Sequence, residues 1–155
     1  MQVLIFHIGA ARFGLPTAAV TRVLPMLACT AIPGAPACVA GLVELHGRAV
    51  PVVDLGVIHG AASAAERQNT RLLLVDYPGA DGLSHPLGLL AEGVAGTARL
   101  DPTAVLTSGI HLAEAPQLGQ VVATDQGLLQ LIVLQALLPP AVRTLLFTAP
   151  AAPAP

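Results

Sequence analysis

The chain has no lysine and no tryptophan, only two cysteines, and aromatic residues fill just 3% of its 155 positions. Each shortage removes a class of function. Without lysine there is no Schiff-base amine, no lysine general base and no phosphate-loop lysine. The seven basic residues are all arginine, scattered along a chain of net charge −2. No basic stripe tracks a phosphate backbone and few rings are on hand to stack bases, so nucleic acid is not an expected partner. Charged residues are also scarce, at 10% against 54% hydrophobic, which rules out a disordered chain and requires an aliphatic core.

Long unbroken apolar helices are missing too. Residues 23–43 carry no charge, but Pro25, Pro33, Gly34, Pro36 and Gly41 interrupt them, and 126–142 is broken by Pro139 and Pro140. A spanning helix needs about 20 apolar residues with a satisfied backbone. Direct membrane insertion is therefore not expected. Gln2-Val3-Leu4-Ile5-Phe6 opens the sequence without a basic segment or a small-residue cleavage site, so no secretory signal is read there. Cys29 and Cys38 form no CxxC and read as reduced core or loop residues.

What the sequence does have is punctuation. Fifteen glycines and fourteen prolines cut it into short apolar runs, the pattern of an all-β protein. Val3–Ile8 and Arg12–Leu15 suggest an opening hairpin. Val39–Leu45 and Ala49–Leu55 flank the turn His46-Gly47-Arg48. Leu72–Val75 reads as a buried strand, and Leu87–Ala91 as another after a loop from Tyr77 to Pro86. Gln120–Thr124 and Leu128–Leu134 flank Asp125-Gln126-Gly127 as a late hairpin. Strands apolar on both faces are expected to be covered on both sides. Helix is confined to a turn near Pro16–Val20, another within Val133–Leu138, and a short C-terminal helix over Ala141–Phe147 with Pro140 near its start. A polar linker at 61–69 separates halves 1–60 and 70–148, and the Ala/Pro tail 149–155 is expected to be disordered.

Parts for catalysis are few. The histidines His7, His46, His59, His85 and His111 show no metal-ligand spacing, and Ser63, Ser84 and Ser108 lack a nucleophile-elbow setting. No phosphate-binding glycine loop is present. Two readings without signalling stay open on the residues alone: a small metal-dependent hydrolase with a cluster assembled in space, or a purely structural β-barrel protein.

One segment is more organised. Pro33-Gly34-Ala35-Pro36 forms a corner, Val39 to Leu45 a strand, His46-Gly47 a tight turn, and Ala49 to Leu55 a second strand containing Pro51. A proline within a strand implies an edge or a bulge. Asp54, at the end of that strand, is placed to cap the turn into Gly56–Gly60.

This segment resembles the signature of the CheW-like family, a P-x-x-P corner followed by G-x-x-N-L-R-G-x-x-x-P-V-x-D-L. It matches at Pro33, Pro36, Gly41, Leu45, Gly47, Pro51, Val52, Asp54 and Leu55 with the spacing intact. Phe13-Gly14-Leu15 through Val20-Thr21-Arg22-Val23 resembles the upstream Y-G-[IL]-x(4)-V-x-E-[IV], and Leu87 to Val94 resembles V-G-[IL]-x-V-D-x-V. The likeness spans roughly Leu4 to Leu138. The chain departs from the pattern where Arg22 stands for the Glu, Glu44 for the Asn, His46 for the Arg and Ala91-Glu92 for V-D.

The resemblance implies two small five-stranded SH3-like β-barrels sharing a hydrophobic core, with termini free to cross over between them. It implies no cofactor and no catalysis. The implied role is an adaptor that couples the cytoplasmic tip of a methyl-accepting chemoreceptor to the regulatory domain of a CheA-type histidine kinase, in the cytoplasm at a receptor array. Val20, Arg22, Gly41, Leu42, His46, Gly47 and Val94 match family positions of partner contact. The C-terminal part, Leu118 to Phe147, resembles couplers of Wsp-type surface-sensing pathways, which points to control of cyclic di-GMP signalling.

Overall fold

The structure is a computed structural model that describes residues 1–61, 63, 69–79, 82–101, 103, 105–106 and 118–147. Most of the expected linker, the expected tail, Ser108 and His111 fall outside the described residues. The chain runs β1 (Gln2–Ile8), β2 (Ala11–Pro16), a 3₁₀ turn (Thr17–Ala19), β3 (Val20–Pro25), β4 (Val39–Leu45) and β5 (Arg48–Asp54). It continues through α1 (Leu55–Ile58), β6 (Thr70–Pro78), β7 (Ser84–Arg99), β8 (Val105–Leu106), β9 (Leu118–Thr124) and β10 (Gly127–Ile132). A second 3₁₀ turn (Leu134–Ala136) and α2 (Pro140–Phe147) complete it.

The strands form two SH3-like barrels. In the first, β3 pairs with β6, β6 with the first half of β7, β7 in parallel with β5, and β5 with β4. In the second, the later half of β7 pairs with β1, β1 with β2, β2 in parallel with β10, and β9 lies between β10 and β8. The 16-residue β7 thus serves both barrels. It passes from one to the other at a bulge, where the register jumps from Ile5↔Gly96 to His7↔Glu92.

Alternation along the strands explains why they are apolar on both faces. Val3 and Ile5 of β1 point into the second barrel with Val122, Leu129 and Leu131. Leu4, Phe6 and Ile8 point the other way, into a core shared with Val53, Val75, Tyr77, Leu87, Leu89 and Leu137. Likewise Leu72 and Leu90 line the first barrel with Val43, Val50 and Val52, while their neighbours Leu73 and Leu89 enter the shared core. A strand between two cores has no polar face to offer.

Several elements differ from the sequence expectation. β3 is a strand that the sequence does not announce, because its residues are mostly exposed and follow no apolar alternation. The strands extend into the expected loop from Tyr77 to Pro86: Tyr77 pairs with His85 and Pro78 with Ser84. Both short turns lose a residue to the strands, since Leu45 pairs with Arg48 and Thr124 with Gly127. Pro51 sits where a missing N–H costs least. Its partner Leu42 directs both its N–H and its C=O to Thr30, so Pro51 N faces away from β4, toward the side where β7 pairing begins only at Val52.

Candidate functional site

The seam between β3 and β4 gathers most of the family-motif residues. These two strands share no ladder among the described residues. The first barrel closes there through one bridge, in which Thr30 and Leu42 exchange backbone hydrogen bonds of 2.8 Å. Gly41 makes that approach possible. Its φ is +139°, and a Cβ on it would lie 2.3 Å from the Thr30 carbonyl oxygen. Gly41 is buried, so it shapes the seam from beneath and offers little surface of its own.

Beyond the bridge the seam is spanned by side chains. His46 and Gly47 form the two-residue turn of the β4–β5 hairpin, with φ of +50° and +77°. Positive φ at both positions is the signature of the hairpin turn whose twist suits its strands. This conformation projects the exposed His46 ring toward β3, where the Arg22 guanidinium donates to its Nε2 at 3.2 Å. Arginine has only donors, so Nε2 of His46 is the acceptor in this contact. The two residues that depart from the family pattern at charged positions are thus in contact with each other, a pairing their separation of 24 positions conceals.

The scan against protein-family models matches the CheW-like domain over residues 2–141. The chain belongs to the CheW-like family. The match sets it among the adaptor and scaffold proteins of chemotaxis signal transduction. The fold is similar to that of the scaffolding protein TtCheW from Thermoanaerobacter tengcongensis, with a TM-score of 0.77 at 21% identity, covering 88% of this chain and 90% of that one. No curated protein matches the chain in sequence.

The remaining positions singled out by the CheW-like resemblance are not all at the seam. Val20, at the start of β3, and Val94, within the β7 bulge, are half-buried and pack on the margin of the shared core. Leu42 is half-buried beside the bridge. Two further apolar residues, Val23 of β3 and Met26 just after it, are exposed (46% and 41%). Val23 entered the sequence reading only as the last position of the upstream motif, and Met26 did not enter it.

Asp54 does cap. Its Oδ1 accepts from the N–H groups of Gly56 (2.9 Å) and Val57 (3.3 Å), and its Oδ2 from the Ser63 hydroxyl (2.6 Å). Its own N–H donates to the Cys38 carbonyl at 2.8 Å, tying the Pro/Gly corner to the end of β5. This buried carboxylate is committed to backbone and hydroxyl donors. Cys29 and Cys38 are free and half-buried, and burial raises both thiols above their ordinary range, which keeps them protonated and poorly nucleophilic. No group of three or more His, Cys, Asp or Glu side chains suited to a metal occurs among the described residues.

Two clefts lie away from the seam. One of about 600 Å³ is lined by Arg12, Arg99, His7, Asp101 and Asp125, with charges of both signs. The other, of about 480 Å³ and more apolar, lies among Met1, Pro16, Ala19, Pro78 and Leu134. None of the seven motif residues lines either cleft.

Proposed function

We propose that this chain is a non-enzymatic adaptor that couples methyl-accepting chemoreceptors to a CheA-type histidine kinase in a chemosensory array. The observation that carries this reading is the match to the CheW-like domain across residues 2–141. The kinase regulatory domain is itself CheW-like by the family resemblance, and the receptor contributes the helical tip of its cytoplasmic part. A helix needs an apolar strip flanked by polar contacts. Val23 of β3 and Met26 just after it are exposed apolar residues, and Arg22 and His46 are exposed polar ones.

Coupling requires no chemistry from the adaptor. It holds receptor and kinase together, so that receptor state shifts kinase activity through linked binding equilibria. Contact at Val20, Arg22, Leu42, His46 and Val94, with Gly41 and Gly47 setting the backbone beneath, is part of this proposal. So are a cytoplasmic location at the array and, from the C-terminal likeness to Wsp-type couplers, an output in cyclic di-GMP signalling. No helix among the described residues is long and apolar enough to cross a membrane.

Calorimetric titration of the chain against the regulatory domain of each CheA-type kinase and the tip fragment of each chemoreceptor from the same cell tests the reading. Saturable binding to one of each is expected. Binding to neither across the full set would remove it.

A further inference from the structure

The wall of the first barrel is thin at one place. From Met26 to Ala31 no residue is buried: Leu27 and Cys29 are half-buried and the other four are exposed. Among the described residues, one backbone bridge ties this stretch to β4, the pair of 2.8 Å hydrogen bonds between Thr30 and Leu42. Its neighbours on both sides are held better. Val23, Leu24 and Pro25 are in register with Leu73, Leu72 and Arg71 of β6. On the other side Ile32 packs on the shared core, and its carbonyl accepts from the Ala35 N–H at 3.1 Å. The corner beyond is fixed by hydrogen bonds from Val39 N–H to the Pro36 carbonyl (2.9 Å) and from Asp54 N–H to the Cys38 carbonyl (2.8 Å). Pro25 and Pro33 stiffen the two ends, which confines a change of backbone angles to the residues between them.

Beneath the stretch lies the core of the first barrel. Val52, Leu72 and Leu90 are fully buried there, and Leu27 and Cys29 pack against the cluster they form with Val43 and Val50. Lifting residues 26–31 breaks two hydrogen bonds and exposes two half-buried side chains, whereas parting any two ladder strands opens a core. Segments with few buried contacts and an exposed backbone open at a fraction of the global free energy.

We infer that residues 26–31 form a strap that opens on its own while both barrels stay folded. Closed, the strap seals the interior of the first barrel. Open, it releases the N–H and C=O of Leu42, which leaves an unpaired edge on β4, and it uncovers the buried cluster beneath. Gly41 is the seat of the strap: the Thr30 carbonyl lies where its Cβ would stand, and leaves that place only with the whole stretch. The inference rests on the packing of this chain alone and stands apart from the adaptor reading.

Amide hydrogen exchange of the native chain, followed by NMR across a series of low urea concentrations, tests the strap. The N–H groups of Thr30 and Leu42 should share one protection factor, about a hundredfold or more below those of the β6–β7 ladder. Their exchange should change little with urea, because opening the strap exposes little surface, while the ladder amides follow the steep urea dependence of global unfolding. Protection of Thr30 and Leu42 equal to that of the ladder, with the same urea dependence, would overturn the strap. So would unequal protection of the two, which would mean that they do not open together.

Thr30→Pro supplies a second measurement, since proline cannot donate to the Leu42 carbonyl. The Leu42 amide should lose its protection, and the amides of the β6–β7 and β4–β5 ladders should keep theirs. A variant that fails to fold, or that loses protection in every ladder alike, would show that this stretch belongs to the cooperative core and would overturn the inference. Unchanged protection of Leu42 would do the same.

Discussion

Two glycines of the same motif do different work, and their alanine variants should separate it. At Gly41 a Cβ collides with the Thr30 carbonyl oxygen, a backbone atom that cannot swing away. At Gly47 nothing lies within 4 Å, and only the positive φ opposes a side chain. Gly41→Ala should cost about 3 kcal/mol or more, from overpacking added to backbone strain. Gly47→Ala should cost about 1 kcal/mol. Urea unfolding midpoints of the two variants check this, and equal losses would refute the seam geometry. His59 gives a second expectation. Its Nδ1 donates to the Leu55 carbonyl at 2.8 Å, its ring lies 5.4 Å from Phe13 of the other barrel, and its Nε2 is buried without a hydrogen-bond partner among the described residues. Burial pushes its pKa below the ordinary value, opposed by the Leu55 carbonyl. The unfolded chain therefore takes up the proton first. Stability should be unaffected above the free imidazole value of about 6.5, fall as the pH drops below it, and level off once the folded ring titrates. His59→Phe should flatten that part of the stability profile. An identical profile in the variant would show that His59 is not responsible.

At the scale of elements, α2 is held by Val142, buried in the shared core, and by its last residue. Phe147 stacks on Tyr77 (centroids 5.3 Å apart) and on His85 (4.8 Å), while the Tyr77 hydroxyl donates to the Gln135 carbonyl at 3.1 Å. The chain has one tyrosine and no tryptophan, so its near-ultraviolet emission reports on this junction alone. Phe147→Ala should cost about 2 kcal/mol, less than a fully buried ring, and should change Tyr77 emission before global unfolding in a urea series. Coincident transitions would mean that α2 is not separately held. Element by element, the sequence was informative where burial wrote a pattern. The β4–β5 hairpin, the Asp54 cap and α2 follow from Gly/Pro punctuation and apolar runs. β3 did not, since Val20–Pro25 is mostly exposed and carries no alternation. The expected strand Leu87–Ala91 was too short, because β7 continues past Gly93 and Gly96, which lie at the bulge that carries it into the second barrel. The motif positions were legible one at a time. The contact of Arg22 with His46 was not, because it depends on that unannounced strand.

For the whole molecule, the two barrels and the shared core account for an aliphatic composition with so few charges, since β1, β6 and β7 each serve two cores at once. Little polar surface then remains to specify partners, which concentrates recognition on a few exposed side chains. The function proposed above is that this CheW-like chain holds a receptor and a kinase together. Reconstitution is the most direct measurement of that claim: membranes bearing the cognate chemoreceptor are sedimented with the CheA-type kinase in the presence and absence of this chain. The account predicts that the kinase co-sediments, and that its autophosphorylation responds to receptor ligand, only when the chain is added. Kinase that binds the receptor membranes and responds to ligand equally well without the chain would contradict it.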